Sequence, residues 1–361
     1  MLTQRSPILA TVKGMGATLG VWYQWEVPLH FGNMQREYWE AQENVVIHDA
    51  SYVGRIKATG VDVLDLLNRL STNGIEDLAL GQGAPTVLTN DKGRIIDLVY
   101  VINMGSHVLL LTSQGCEDRI LRWIEKYTFI EDATLSELTS STALFTLVGP
   151  KAADVVEAIA GVDVKRLRRL DYVEAIVQGV PTVIIDVNSV DSSGYHLMIG
   201  ANDASKIWQR IVSYGTMPIG VLAWEALRIK AGVPLYGKEI GEGFNPLESG
   251  LIGSVDFAKG CYIGQEVIAR LDTYEKVQKH LVTLKFSDCP NVQEGTKLAL
   301  DGKEVGVVTS ASEIPDELHQ LGLGYVRKVA ANVGVRLSLV GQQGAWAEIA
   351  EIPLLCGPMR E

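Results

Sequence analysis

Cysteine is scarce and scattered in this chain. The four present, Cys116, Cys261, Cys289 and Cys356, form no C-x-x-C pair and have no close neighbours among themselves. That excludes a disulfide framework and suits a reducing compartment, so a cytoplasmic location is expected. It also denies a resident iron–sulfur cluster or structural zinc its clustered thiolates, and no bound metal is expected. Positive charge is in short supply as well. The 361 residues carry 32 Lys and Arg against 43 Asp and Glu, a net charge of −11. Phosphates are held by clustered cations, so neither a nucleic-acid partner nor an anionic membrane surface is expected. No apolar run approaches the about 18–20 residues that span a bilayer. Lys13 interrupts the mildly apolar N-terminus, which therefore does not read as a secretory signal. The six histidines fall in no ligand spacing, and no G-x-S-x-G or P-loop occurs. Gly14-x-Gly16-x-x-x-Gly20 sets its third glycine one residue late for a nucleotide fingerprint, and no βαβ pattern surrounds it, so it reads as a turn.

What is present is ordinary globular composition, 47% apolar and 21% charged, at a length that predicts two or three domains. PTVLT and RIIDLVYVI are β-rich runs separated by Asn90-Asp91-Lys92-Gly93, a hairpin signal. HVLLLT follows, and Ser113 can cap a helix in which Ile120, Leu121 and Ile124 recur at helical spacing. A second set repeats the pattern. ALFTLVG reads as a strand, KAADVVEAIA as a helix opened by Pro150 and closed by Gly161, and YVEAIVQ, TVIIDV and GYHLMIG as strands before a helix around SKIWQRIV. Strands joined by such short turns pair antiparallel, with helices on one face. A further helix is expected over Leu222 to Ala231. From about Val277 only short strands and Gly or polar turns remain, among them the hairpin signal Asp301-Gly302. The fold class predicted is α+β: a body over residues 1–275 built of two antiparallel-sheet lobes with helices, and a small C-terminal β-barrel over 276–361.

Two segments stand apart. Lys165, Arg166, Arg168 and Arg169 form a dense basic knot in an acidic protein, either a solvated surface run or a clamp for an anionic ligand such as a polyglutamate tail. The second is Lys259-Gly-Cys-Tyr-Ile-Gly-Gln-Glu266, preceded by Asn245-Pro-Leu-Glu248. Ile263, Val267, Ile268 and Leu271 recur at helical spacing, which predicts a helix whose start lies at or just after Cys261. Free backbone N–H groups and a lysine two residues upstream both stabilise a thiolate, so Cys261 is a candidate reactive group, against the alternative of a small buried side chain.

K-G-C-Y-I-G-Q-E at 259–266 resembles the signature of the folate-binding YgfZ family, relatives of the glycine-cleavage T-protein that assist iron–sulfur enzymes. Arg228, Gly232 and Pro234, Asn245-Pro-Leu-Glu248, Asp49-Ala-Ser51 and Thr89-Asn90-Asp91-Lys92-Gly93-Arg94-Ile95 extend the resemblance over most of the chain. It implies two α+β lobes and a C-terminal barrel. It implies tetrahydrofolate or a derivative as cofactor, with Asp97, Arg228, Tyr262 and Gln265 as candidate binding residues and Cys261 with Lys259 as the reactive pair. It further implies iron–sulfur client proteins as partners. Three positions depart from the T-proteins. Leu98 replaces one of two carboxylates, Ser192 stands where a pterin-gripping glutamate is expected, and Trp224 replaces an arginine. The resemblance therefore implies a tetrahydrofolate-binding accessory protein for assembly or repair of iron–sulfur enzymes, ahead of a folate-dependent aminomethyltransferase or demethylase, with a ligand-free scaffold as a third reading.

Overall fold

Turn chemistry sets the local architecture. Asp301 and Gly302 both take left-handed φ values, 49° and 76°, as a two-residue turn of the I′ type demands, and they join the strands Lys297–Leu300 and Lys303–Ala311. Gln178 and Gly179, at 50° and 80°, do the same between Tyr172–Val177 and Val180–Asp186. In the Asn90–Gly93 turn the Asn90 side-chain carbonyl accepts from the backbone of Lys92 at 2.9 Å and of Arg94 at 3.1 Å. This local pairing is the physical reason asparagine favours turns. The computed structural model describes residues 3–187, 193–287, 292–316 and 319–353. Cys289, Cys356, Asp191 and Ser192 lie outside the described residues.

The chain divides into two compact units. The first comprises Met1–Leu66, Ile75–Ala84 and Tyr100–Trp224, the second Leu67–Gly74, Pro85–Val99 and Glu225–Glu361. In the first, a six-stranded sheet runs in the order Tyr172–Val177, Val180–Asp186, Gly194–Gly200, Thr142–Val148, Val46–Asp49, Met217–Ile219. The helices Ala152–Ala160 and Ala204–Ser213 bury one stripe against it. Val156, Ile159, Ile207, Trp208 and Ile211 join Phe145, Ile184 and Leu197 in one core. The Trp208 ring meets Phe145 edge-on at 5.1 Å. Gly161, left-handed at 69°, stops the first of these helices as the sequence predicts.

The sheet is not purely antiparallel: its edge strand Met217–Ile219 pairs parallel with Val46–Asp49. A parallel neighbour needs a long connection, and here most of the first unit's chain separates the two strands. A five-stranded sheet follows the order Gly83–Thr89, Ile95–Asn103, Val108–Thr112, Gly54–Thr59, Thr134–Glu137. The helix after Val108–Thr112 starts at Glu117, with Cys116 rather than Ser113 in the capping position.

In the second unit six strands close into a barrel, in the order Lys279–Phe286, Leu321–Arg327, Lys303–Ala311, Lys297–Leu300, Arg336–Leu339, Trp346–Glu351. Alternate residues Val282, Leu284 and Phe286 point inward and meet Val308, Val326, Leu337 and Ile349, and closure leaves no free sheet edge. The α+β class with a C-terminal barrel thus agrees with the sequence reading. Among the described residues no helix is long and apolar enough to cross a membrane.

One buried titratable group gives the first unit a pH dependence. His48 is 1% exposed, and burial drives its pKa down to about 3. The folded state holds it neutral, whereas the unfolded chain protonates it near pH 6.5. Its contribution is therefore complete above that pH and is lost as pH falls towards the folded value. Between about pH 6.5 and about pH 5 the wild type is expected to lose about 2 kcal/mol that the His48→Asn variant does not lose. Urea unfolding of both proteins across that range measures the difference; parallel curves would refute it.

Candidate functional site

The 259–266 segment is fastened at both ends. On the upstream side, the Lys259 ammonium donates to the carbonyls of Asn68 at 2.7 Å, Ser71 at 3.0 Å and Asn73 at 2.6 Å. Asn68 lies in the last turn of the helix Val63–Leu70, whose unpaired carbonyls attract a cation. The same ammonium stands 5.4 Å from the Tyr262 ring centre. On the downstream side, the Ile263 carbonyl accepts from the Thr89 hydroxyl at 2.6 Å, and the Ile263 N–H donates to the Arg69 carbonyl at 3.2 Å.

Gly264 completes the fastening. Its φ is 87°, and a Cβ there would lie 2.5 Å from the Asn90 carbonyl oxygen and 3.0 Å from the Gly93 Cα. Gly93 in turn faces Val267 and Ile268, with 3.2–3.3 Å available to a Cβ. Two glycines thus let the Asn90–Gly93 turn seat directly on the motif. Tyr262 is 7% exposed in a cluster with Leu247, Val255 and Ile268. Burial, with Asp256 adding to it, pushes its phenol up to about 12.

Cys261 lies between these anchors and is exposed. The sequence reading set it at a helix start, and the structure corrects this. The helix runs Gln265–Thr273 with left-handed Gly264 before it, so Cys261 precedes the helix by four residues. The dipole effect fades within the first turn and does not explain a reactive thiol here. Ile263 likewise precedes the helix, and Ile268 is its buried residue. Gln265 is half-buried at the helix start, its N–H donating to the Tyr262 carbonyl at 3.2 Å. Lys259, expected as electrostatic support for the thiol, directs its ammonium to three carbonyls instead.

Asp97 lies in the strand Ile95–Asn103, fully buried within the run Ile95–Val99. Arg228 departs from its expected place in a folate pocket. Its guanidinium bonds Glu225 twice, at 2.8 and 2.9 Å, the Val233 carbonyl at 2.6 Å, Glu239 at 3.3 Å and the Ser310 hydroxyl at 2.8 Å. An arginine has five N–H donors, and all five are engaged by the chain itself. Arg228 therefore ties the helix Val221–Lys230 to the barrel strand Lys303–Ala311. Glu239 and Ser310 carried no sequence signal, and only the i,i+3 spacing of Glu225 and Arg228 was readable. Trp224 stacks on His48, with ring centres 4.8 Å apart and planes 5° apart, and His48 Nε2 meets the Tyr52 hydroxyl at 2.8 Å. The basic knot is partly neutralised: Lys165 pairs with Asp154 at 2.7 Å and Glu157 at 3.3 Å, and Arg166 with Asp163 at 3.0 Å. Those pairs engage two of its four cations.

Residues 8–259 match the family model described as the GCVT N-terminal domain. A chloroplastic protein of Arabidopsis thaliana that carries a provisional transferase name is 32% identical over 86% of this chain and 71% of its own length. An aminomethyltransferase of Halothermothrix orenii is 26% identical over 98% of this chain and all of its own. The crystal structure of the glycine cleavage system aminomethyltransferase T from Bartonella henselae superposes with a TM-score of 0.87, covering 98% of each chain at 21% identity. At that identity the likeness establishes the fold.

The two anchors make separable predictions. Gly264→Ala is expected to cost roughly 1–3 kcal/mol from backbone strain, before the close contact is counted. Lys259→Met is expected to cost a similar roughly 1–3 kcal/mol by leaving three carbonyls without their donor. Thermal melts read the total, and faster hydrogen exchange at residues 89–95 in Gly264→Ala reads the loss of the seated turn. Unchanged exchange there would show that the glycine contact does not hold the motif.

Proposed function

The chain belongs to the GCVT N-terminal domain family, and from that premise we propose that it is a tetrahydrofolate-binding accessory protein that supports assembly or repair of iron–sulfur enzymes through Cys261. The observation that carries this reading is an exposed thiol displayed on a loop anchored on both sides, by Lys259 before it and by Gly264 and Thr89 after it. A cysteine kept for packing is buried, as Cys116 is. An exposed one, on ionising, supplies a single soft ligand. One thiolate can take a transient place on an iron or a sulfur species but cannot retain a cluster. Among the described residues no group of three His, Cys, Asp or Glu side chains gathers into a metal site. Iron–sulfur client proteins are the partners this reading requires.

For the folate, the residues divide. Asp97 remains the candidate for the carboxylate beside the reactive nitrogens, because its strand leaves the same Asn90–Gly93 turn that seats on the motif. Arg228 is assigned to structure, since freeing it would break its pairs with Glu225 and Glu239. Tyr262 and Gln265 shape the wall behind Cys261. Tetrahydrofolate, when bound, would supply a one-carbon carrier.

The aminomethyltransferase reading is favoured by the full-length likeness to proteins of that name. Purified protein offered an aminomethylated carrier and tetrahydrofolate decides between the two, since methylene transfer with ammonia release belongs only to the second. For the first, a deletion strain of the source organism complemented with Cys261→Ser is expected to lose at least about fivefold of its iron–sulfur enzyme activity relative to the wild-type gene, because serine is not ionised at neutral pH. The melting curve of the variant should not change. Wild-type levels of iron–sulfur enzyme activity from the serine variant would end the thiol hypothesis.

A further inference from the structure

Beside the motif lies a cluster of charged and aromatic side chains that the reading above does not use. Phe244 and Tyr325 stack with ring centres 4.5 Å apart and planes 10° apart. The Lys279 ammonium stands over both, 4.4 Å from one centre and 4.7 Å from the other. Among the described residues that ammonium has no hydrogen-bonded acceptor and no carboxylate at ion-pair distance; its contacts are the two rings. Arg94 approaches the same segment from its backbone side. Its guanidinium lies 3.5 Å from the Gly243 carbonyl and 3.7 Å from Glu248, and its side chain is 42% exposed. The Ile95 N–H fixes the geometry by donating to the Phe244 carbonyl at 3.0 Å.

The electrostatics agree with this geometry. Two cations face one carboxylate, Glu248, a local positive excess in a chain of net charge −11. Burial holds Lys279 below the usual lysine range, opposed by Glu248 and reinforced by Arg94. Burial raises Glu248, against the pull of Lys279 and Arg94. An ammonium partly removed from water with no acceptor is stabilised when an anion reaches it.

We infer that Arg94 and Lys279 form a carboxylate-binding subsite that takes the glutamate tail of the folate. This rests on the folate reading above. Arg94 immediately precedes the strand Ile95–Asn103, which carries the folate candidate Asp97. Chains with several γ-linked glutamates would gain most, since each adds a carboxylate near two cations.

Isothermal titration of wild type, Arg94→Gln and Lys279→Gln tests this with four probes: 5-formyltetrahydrofolate, its triglutamate, 6-methyltetrahydropterin, and tri-γ-glutamate alone. The expected result is at least about fivefold weaker folate binding in each variant, the loss of one charge-assisted contact, with a larger loss for the triglutamate and unchanged 6-methyltetrahydropterin binding. Arg94→Lys should restore part of the affinity. Variants that bind both folates as the wild type does would overturn the subsite while leaving the folate reading intact. If wild type binds neither pterin nor folate, the folate reading fails, and tri-γ-glutamate then decides. Saturable binding lost in Lys279→Gln upholds the anion subsite, and absence of binding overturns it.

Discussion

The close approach of Gly264 to the Asn90–Gly93 turn is the contact on which the candidate site depends. A Cβ on Gly264 would meet the Asn90 carbonyl oxygen at 2.5 Å, so Gly264 is required by space as well as by φ, while Gly93 is favoured by its left-handed φ of 65°. That contact starts the helix at Gln265 and no earlier. It also brings the motif beside the strand that carries Asp97. The Lys259 clasp works on the other side through charge, by satisfying carbonyls at the end of the Val63–Leu70 helix. Between a steric anchor and an electrostatic one, Cys261 has a defined place without being packed.

A second network explains why the N-P-L-E and Arg228 segments sit as they do. Arg228, Glu225, Glu239 and Ser310 bury two carboxylates and a guanidinium together. The Tyr325 hydroxyl donates to the Glu239 carbonyl at 2.6 Å and meets the Ser249 hydroxyl at 2.7 Å. Burying charge is costly, and it is tolerated here because every donor of the guanidinium has an acceptor. The network also explains why Arg228 resembles a ligand residue in sequence yet serves the fold. Next to it, Glu248, Arg94 and Lys279 are only partly matched, which leaves room for chemistry from outside.

Much of the fold was legible in the sequence because it rests on local physics. Asp301-Gly302 and Asn90–Gly93 announce their turns by the φ values those residues tolerate, and Gly161 its helix stop. The K-G-C-Y-I-G-Q-E run marked the place of interest through its resemblance to a family signature. What the sequence could not determine is where side chains of distant segments meet. Helical spacing from Ile263 onward suggested an earlier helix start, because periodicity cannot see that Gly264 must turn left-handed under Asn90. Lys259 reads as a neighbour of Cys261 in sequence, yet its donors turn to carbonyls between 186 and 191 residues away. Arg228 lost its expected role to Glu239 and Ser310, and Lys279 gained a setting from Phe244 and Tyr325. These are long-range pairings, and their energy depends on burial and distance, which tertiary structure alone fixes.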